Sequence, residues 1–176
     1  MENLPVEYLI KAKPPKSALA FKIVMIIACI AAALTIPRML VWGFFLTIML
    51  IVFTVFLFRY YEMEYEYSLM EEALTIDRIT AQSSRRRCGV YDISKATLVA
   101  RPDSQDALRL AHQKLRNADY TSNTAENKDK AVVIHTYDEK NELVRIFIEP
   151  NETLLKAIKN VAPKSAFKIE MDDVLK

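Results

Sequence analysis

The densest run of side chains able to do chemistry is Arg85-Arg86-Arg87, in a polar connection expected at residues 83–87 between two strands. Guanidiniums in such a block suit carboxylate or phosphate oxygens, and each cation near an anionic leaflet contributes about 1 kcal/mol. Contact with a protein partner or anionic lipid is one expectation for the triad. A solvated turn paired with acids such as Glu71 or Glu72 is the other. Glu62, Glu64 and Glu66 form a carboxylate row at period two. The reading favours a solvated sheet face answered by cross-strand lysines or arginines over a cation site. Cys88 directly follows the triad, so Arg87 would lower its thiol pKa, but no base stands nearby and a small strand residue is the preferred reading. His112 and His135 have neither an acid nor a second histidine at ligand spacing. Only two glycines occur in 176 residues, which excludes Gly-rich phosphate loops. No catalytic, metal-binding or cofactor-binding residue is assigned, and an enzyme is not expected.

The elements that carry these groups differ sharply along the chain. A mean hydropathy of +0.06 coexists with 26% charged residues, so apolar and charged residues must occupy different stretches. Residues 23–36 and 39–58 carry no charge, and Pro37-Arg38 separates them. About 20 apolar residues cross a bilayer as a helix, and one helix over 23–58 would be about 54 Å long, too much for a core of about 30 Å. Two antiparallel spans, about 18–36 and 39–58, with a tight turn at 35–38 fit best. Lys22, Trp42, Tyr60 and Tyr61 are expected as interfacial anchors. Cleavage as a signal peptide after residues 31–33, or at Cys29 in a loose lipobox, is the lesser reading, because it would strip the second span of its partner.

Lys11, Lys13, Lys16 and Lys22 precede the first span and Arg59 follows the second, so the positive-inside bias puts both termini in the cytoplasm. The expected organisation is a cytoplasmic N-terminal segment at 1–17, a transmembrane hairpin at 18–58 and a cytoplasmic domain at 59–176. Within the first segment, Val6, Leu9 and Ile10 suggest a short amphipathic helix over residues 3–12. From residue 59 onward there are 19 basic and 20 acidic residues, so the net +2 belongs to the membrane part and speaks against nucleic acid.

The domain opens with Tyr61, Met63, Tyr65, Tyr67 and Leu69 alternating with glutamates, a strand signal. A turn at Glu71-Glu72 and a return strand at 74–82 follow, then short strands at 90–93 and 96–100. A helix at 104–116, a polar loop at 117–129, a hairpin of strands at 131–137 and 143–148, and a helix capped by Asn151 complete the pattern. A last short strand is expected at Phe167 and Ile169. About six strands closed by an amphipathic helix make an α+β arrangement.

The segments EYEYSLMEEALTIDRI, VYDISKATLVA and IFIEPNETLLKAIKNVAPKSAF, behind a two-span hairpin, resemble a family of small uncharacterised membrane proteins of Gram-positive bacteria. The soluble part of that family is similar to bacterial pleckstrin-homology-like (PH-like) domains. The resemblance implies a bent antiparallel sheet or barrel capped by the C-terminal helix and facing the cytoplasm, and it brings no catalytic residues. The expected function is an interaction or scaffolding module that binds a membrane protein partner through an exposed sheet edge or a groove beside the final helix. Basic loops in such folds also contact lipid phosphates, so sensing of anionic lipid through Arg85, Arg86 and Arg87 is the alternative. This chain departs from the pattern in having Glu71-Glu72-Ala73 at the first turn and a helix at 104–116 where a further strand is expected.

Overall fold

The computed structural model describes residues 5–14, 16–81 and 83–169. The chain divides into two compact units, one of Met1–Ala12, Glu64–Ile79 and Arg85–Lys176, the other of Lys13–Met63 and Thr80–Ser84.

The second unit is a helical hairpin. Helix α1 spans Lys16–Ala33 and α2 spans Ile36–Tyr60, with Pro37 in the first turn of α2, where its missing N–H costs nothing. Ala18, Lys22, Met25, Cys29 and Ala32 recur at alternating spacings of four and three, as do Gly43, Thr47, Leu50 and Thr54 on α2. This is the repeat of a helix–helix seam. Ala18, Met25, Ala32, Thr47 and Thr54 are buried in it, and small residues let the two backbones approach. Thr47 and Thr54 donate to the carbonyls of Gly43 and Leu50 one turn back, and Thr54 also meets Cys29 Sγ at 3.4 Å. A Cβ on Gly43 would lie 2.9 Å from Ile36 Cα, so only glycine lets the turn close there. Outside the seam, the large apolar residues of both helices are exposed, Trp42 by 78% and Val41 by 75%. Val41–Tyr60 is long and apolar enough to cross a membrane, whereas Ser17–Ala33 is a shorter apolar helix.

The first unit is built on one eight-stranded sheet. Its strands are β1 (Val6–Ala12), β2 (Met63–Met70), β3 (Ala73–Thr80), β4 (Ser84–Asp92), β5 (Leu98–Ala100), β6 (Arg116–Asp119), β7 (Val132–Asp138) and β8 (Leu143–Ile148). Hydrogen bonding follows the order β1-β2-β3-β4-β7-β8-β6, and β5 pairs with β7 beyond the point where β4 leaves it. The inner residues Tyr67, Leu69, Leu74, Ile76, Tyr91, Ile134 and Ile146 form the main core. Helix α4 (Glu152–Val161) adds Leu154, Leu155 and Ile158 to it, all fully buried. Asn151 starts α4 by accepting the N–H of Leu154 at 2.8 Å. Strand β7 is buried on both faces, because its other side joins Leu98 and Ala100 of β5 and Ala107 of the short helix α3 (Gln105–Leu110) in a smaller core.

Several expectations change. The N-terminal helix expected over 3–12 is a strand where described, and residues 3 and 4 lie outside the described residues. Val6, Tyr8 and Ile10 alternate with exposed Glu7, Leu9 and Lys11, so the period is two and the segment forms the sheet's first strand. The sheet therefore begins before the hairpin, not at residue 59. The helix expected at 104–116 stops at Leu110. Residues Arg116–Asp119, expected as the end of that helix and the start of a loop, pair in parallel with β8, a departure from a wholly antiparallel sheet. A 3-10 turn at Ala125–Lys130 occupies part of the remaining loop. Among the described residues eight strands thus replace six. The expected last strand reduces to an isolated bridge between Phe167 and Val99. The turn at Glu71, with φ 53°, the β7–β8 hairpin and α4 lie where the sequence places them.

Candidate functional site

Arg85, Arg86 and Arg87 sit within β4 and not in a loop, and all three are exposed. Strand pairing sets them beside acids other than Glu71 and Glu72. Arg85 bonds Glu66 and lies 4.0 Å from Asp77, and Arg87 lies 3.9 Å from Asp77. Lys11 of β1 stands 4.0 Å from Glu64, so the glutamate row is answered across strands from both sides. Arg86 makes no ion pair among the described residues. Within the hairpin unit, the Ala81 N–H donates to the Glu62 carbonyl at 3.1 Å, which ties the β3–β4 connection to the chain leaving α2.

Lys22 lies 4.7 Å from the Phe58 ring centroid, a cation–π contact across the seam near the chain ends of the hairpin. Tyr60 and Tyr61 stack edge to face at 5.9 Å. Trp42 stands exposed beside the turn.

Cys88 turns inward against the core. Burial pushes its thiol pKa up against the opposing pull of Arg78, so the expected lowering by Arg87 is overturned. Gly89 follows because the Tyr91 phenol folds back over it, leaving only 2.6 Å between Tyr91 Oη and a Cβ built there. That phenol meets the Tyr120 hydroxyl at 2.7 Å, and Tyr67 Oη donates to the Tyr120 carbonyl at 2.6 Å. Burial raises the pKa of Tyr67 and Tyr120, so this interior network keeps its protons.

His135 and Arg145 face one another across β7 and β8 in the smaller core. Arg145 Nε donates to His135 Nε2 at 2.9 Å, and its Nη groups reach the carbonyls of Leu110 and Ala111 at the end of α3. The guanidinium thereby caps that helix and holds His135 as an acceptor. Burial first, and the Arg145 charge second, lower the His135 pKa to about 4. His112 lies beyond the end of α3 and is exposed.

One concave feature of the sheet unit is a cavity of about 370 Å³ whose lining includes Arg101, Asp103, Asp119, Asp129, Phe147 and Glu149. Phe147 contributes an apolar wall, and among the described lining residues four carboxylates accompany one guanidinium. Arg101 Nε bonds Asp103 at 3.1 Å. Asp119 accepts from the N–H and hydroxyl of Thr121 at 2.9 and 2.7 Å. Glu149, 6% exposed, accepts from the N–H and hydroxyl of Ser122, both at 3.0 Å. The excess negative charge beside an aromatic wall suits a lysine or arginine side chain of another molecule. Among the described residues no group of His, Cys, Asp and Glu is placed to hold a metal ion. No short motif announces this cavity, since its residues come from β6, β8 and the connections around them, up to 48 positions apart.

A family model described as "Bacterial PH-like domain" matches residues 2–168. No curated protein and no solved structure matches the chain.

Proposed function

The chain belongs to the bacterial PH-like domain family, and from that premise we propose that it is a membrane-anchored interaction module that docks a basic segment of a membrane protein partner, and not an enzyme. The observation that carries this reading is the cavity at Asp103, Asp119, Asp129 and Glu149, where carboxylates outnumber cations among the described lining residues beside Phe147. Such a surface attracts lysine or arginine and repels phosphate. The exposed apolar faces of α1 and α2 support a two-span hairpin holding the module at the membrane, as in the Gram-positive membrane proteins that the sequence resembles. The flanking lysines favour both termini in the cytoplasm. A reporter fused after Lys176 that responds from outside the cell would overturn that orientation.

The test of docking uses the full chain in nanodiscs of neutral lipid and two synthetic amphipathic peptides, one rich in lysine and arginine, the other with glutamate in their place. The basic peptide should bind, and Asp119→Asn with Asp129→Asn should weaken it by about tenfold. Equal binding of the acidic peptide, or no change in the double variant, would sink the reading.

The alternative is anionic-lipid sensing by Arg85, Arg86 and Arg87. The Ala81–Glu62 bond favours it, because it keeps the connection before β4 close to the exit of α2. Arg85 and Arg87 already face Glu66 and Asp77, which leaves Arg86 as the group for a headgroup. Retention of phosphatidylserine by the purified chain that drops in Arg86→Ala would favour this alternative, and unchanged retention would end it.

A further inference from the structure

We infer that the cation taken up by the acidic cavity is Arg86 of a second copy of this chain, so that sheet units bind one another. The inference rests on the docking reading above and names its partner.

Two charges of opposite sign stand unanswered in the sheet unit. The first is Glu149 in the cavity lining. It is 6% exposed, and the N–H and hydroxyl of Ser122 hold its Oε1. Its Oε2 meets the Asn127 amide at 3.4 Å, and among the described residues it has no cation as an ion-pair partner. A carboxylate taken out of water without a counter-ion is costly, and Asp119 and Asp129 in the same lining add to the negative field. Arg101 of that lining bonds Asp103. Asp103, Asp119 and Asp129 are exposed, so the cavity is open to a side chain from outside. Phe147 gives a guanidinium an aromatic surface on which to stack.

The second charge is Arg86. Its neighbours Arg85 and Arg87 are drawn to Glu66 and Asp77 on one face of the sheet. Alternation along the strand sends Arg86 to the other face, where it is exposed and makes no ion pair among the described residues. Strand β4 pairs with β7 at Tyr91 and Asp92, and among the described residues its first half has no strand on that side. A backbone fixed along one edge and open along the other presents Arg86 to an approaching molecule at small entropic cost.

Within one copy the two charges do not pair. Between copies the Arg86 guanidinium meets the carboxylates beside Phe147, and one contact answers both charges. A shared membrane raises the effective concentration of one copy around another.

The test uses the full chain in vesicles of neutral phosphatidylcholine, with a donor or an acceptor fluorophore fused after Lys176. Energy transfer between copies should exceed the random level for the same lipid-to-protein ratio. Arg86→Glu alone, and Asp119→Lys with Asp129→Lys alone, should each weaken association by about tenfold. Mixing the two variants should restore it, because each then meets the opposite charge. The basic peptide used above should compete and return wild-type transfer to the random level, a measurement that needs no variant to fold. Unchanged transfer in either variant, a mixture no better than its parts, or association that the peptide does not displace would overturn the inference. If the wild-type chain binds the peptide but not itself, docking at the cavity stands and only this inference falls. Binding of neither would sink both.

Discussion

The hairpin and the sheet unit solve the same packing problem with opposite distributions of polarity. In the sheet unit Tyr67, Leu74, Ile134 and Leu155 are fully buried, while Lys11, Arg85 and Lys95 stand outward. In the hairpin the buried seam holds alanine, glycine and threonine, and phenylalanine, isoleucine and valine face outward. Water drives the first arrangement, because removing apolar area from it is the main source of stability. It cannot drive the second, whose close contact comes from small residues and from hydroxyls that satisfy carbonyls one turn back. The lesson is that burial means different things in the two units. A large apolar residue is a core residue in one and a surface residue in the other.

Substitutions can break this contrast, beginning with the largest expected effect. Leu155→Ala empties a fully buried site and should destabilise the sheet unit by about 3 kcal/mol. Phe56→Ala, at a position 71% exposed on α2, should change thermal unfolding by less than about 0.5 kcal/mol. Equal losses in the two, followed by circular dichroism of the full chain in detergent, would erase the contrast. Gly43→Val places a branched side chain against the Ile36 backbone and should cost the hairpin about 2 kcal/mol. Spin labels on α1 and α2 should report a splayed turn, and an unchanged distance between them would show that the seam does not need glycine.

The third effect depends on pH and is confined to the sheet unit. His135 has a folded pKa of about 4, below the ordinary 6.5, so between these values the unfolded chain binds a proton that the folded chain refuses. Stability is therefore full above about pH 6.5 and falls as the pH drops toward 4, by an amount on the order of 1 kcal/mol. Urea unfolding of wild type and His135→Gln across this window tests it, because the glutamine variant should lose that part of the slope. Identical slopes would assign the acid sensitivity to other groups. Smallest of all, Arg87→Ala removes an exposed pair 3.9 Å from Asp77 and should shift the midpoint by less than about 0.5 kcal/mol. A larger loss would mean that the β4 arginines hold the sheet together and are not free for a partner.

Local signals explain what was legible in the chain. Asn151 followed by Leu154, Leu155 and Ile158 announces α4 by cap and spacing, and the structure places the helix there. Strands β7 and β8 are apolar runs joined by Asp138-Glu139-Lys140-Asn141, whose aspartate accepts the N–H groups of Lys140 and Glu142. Strand β1 was misread because Val6, Leu9 and Ile10 also fit a helical face, and the pairing with β2 that decides the matter is separated from it by the whole hairpin. Strand β6 has no apolar pattern at all. Arg116, Asn117, Ala118 and Asp119 become a strand only because β8 offers them a free edge. The cavity was equally silent, as was the Arg145 cap on α3, since both join residues that only the tertiary fold brings together.

The pairing of β1 with β2 also sets an order of manufacture. The hairpin lies between these neighbours in the chain, so it is an insertion within a sheet and not a tail attached to one. During synthesis β1 emerges before its partner and must wait, unpaired, while the intervening residues, most of them in the two apolar helices, pass through the ribosome. The antiparallel course of α1 and α2 returns the chain to where β1 waits. A fragment starting at residue 60 would lack β1 and carry β2 as a bare edge, open to pairing with another copy.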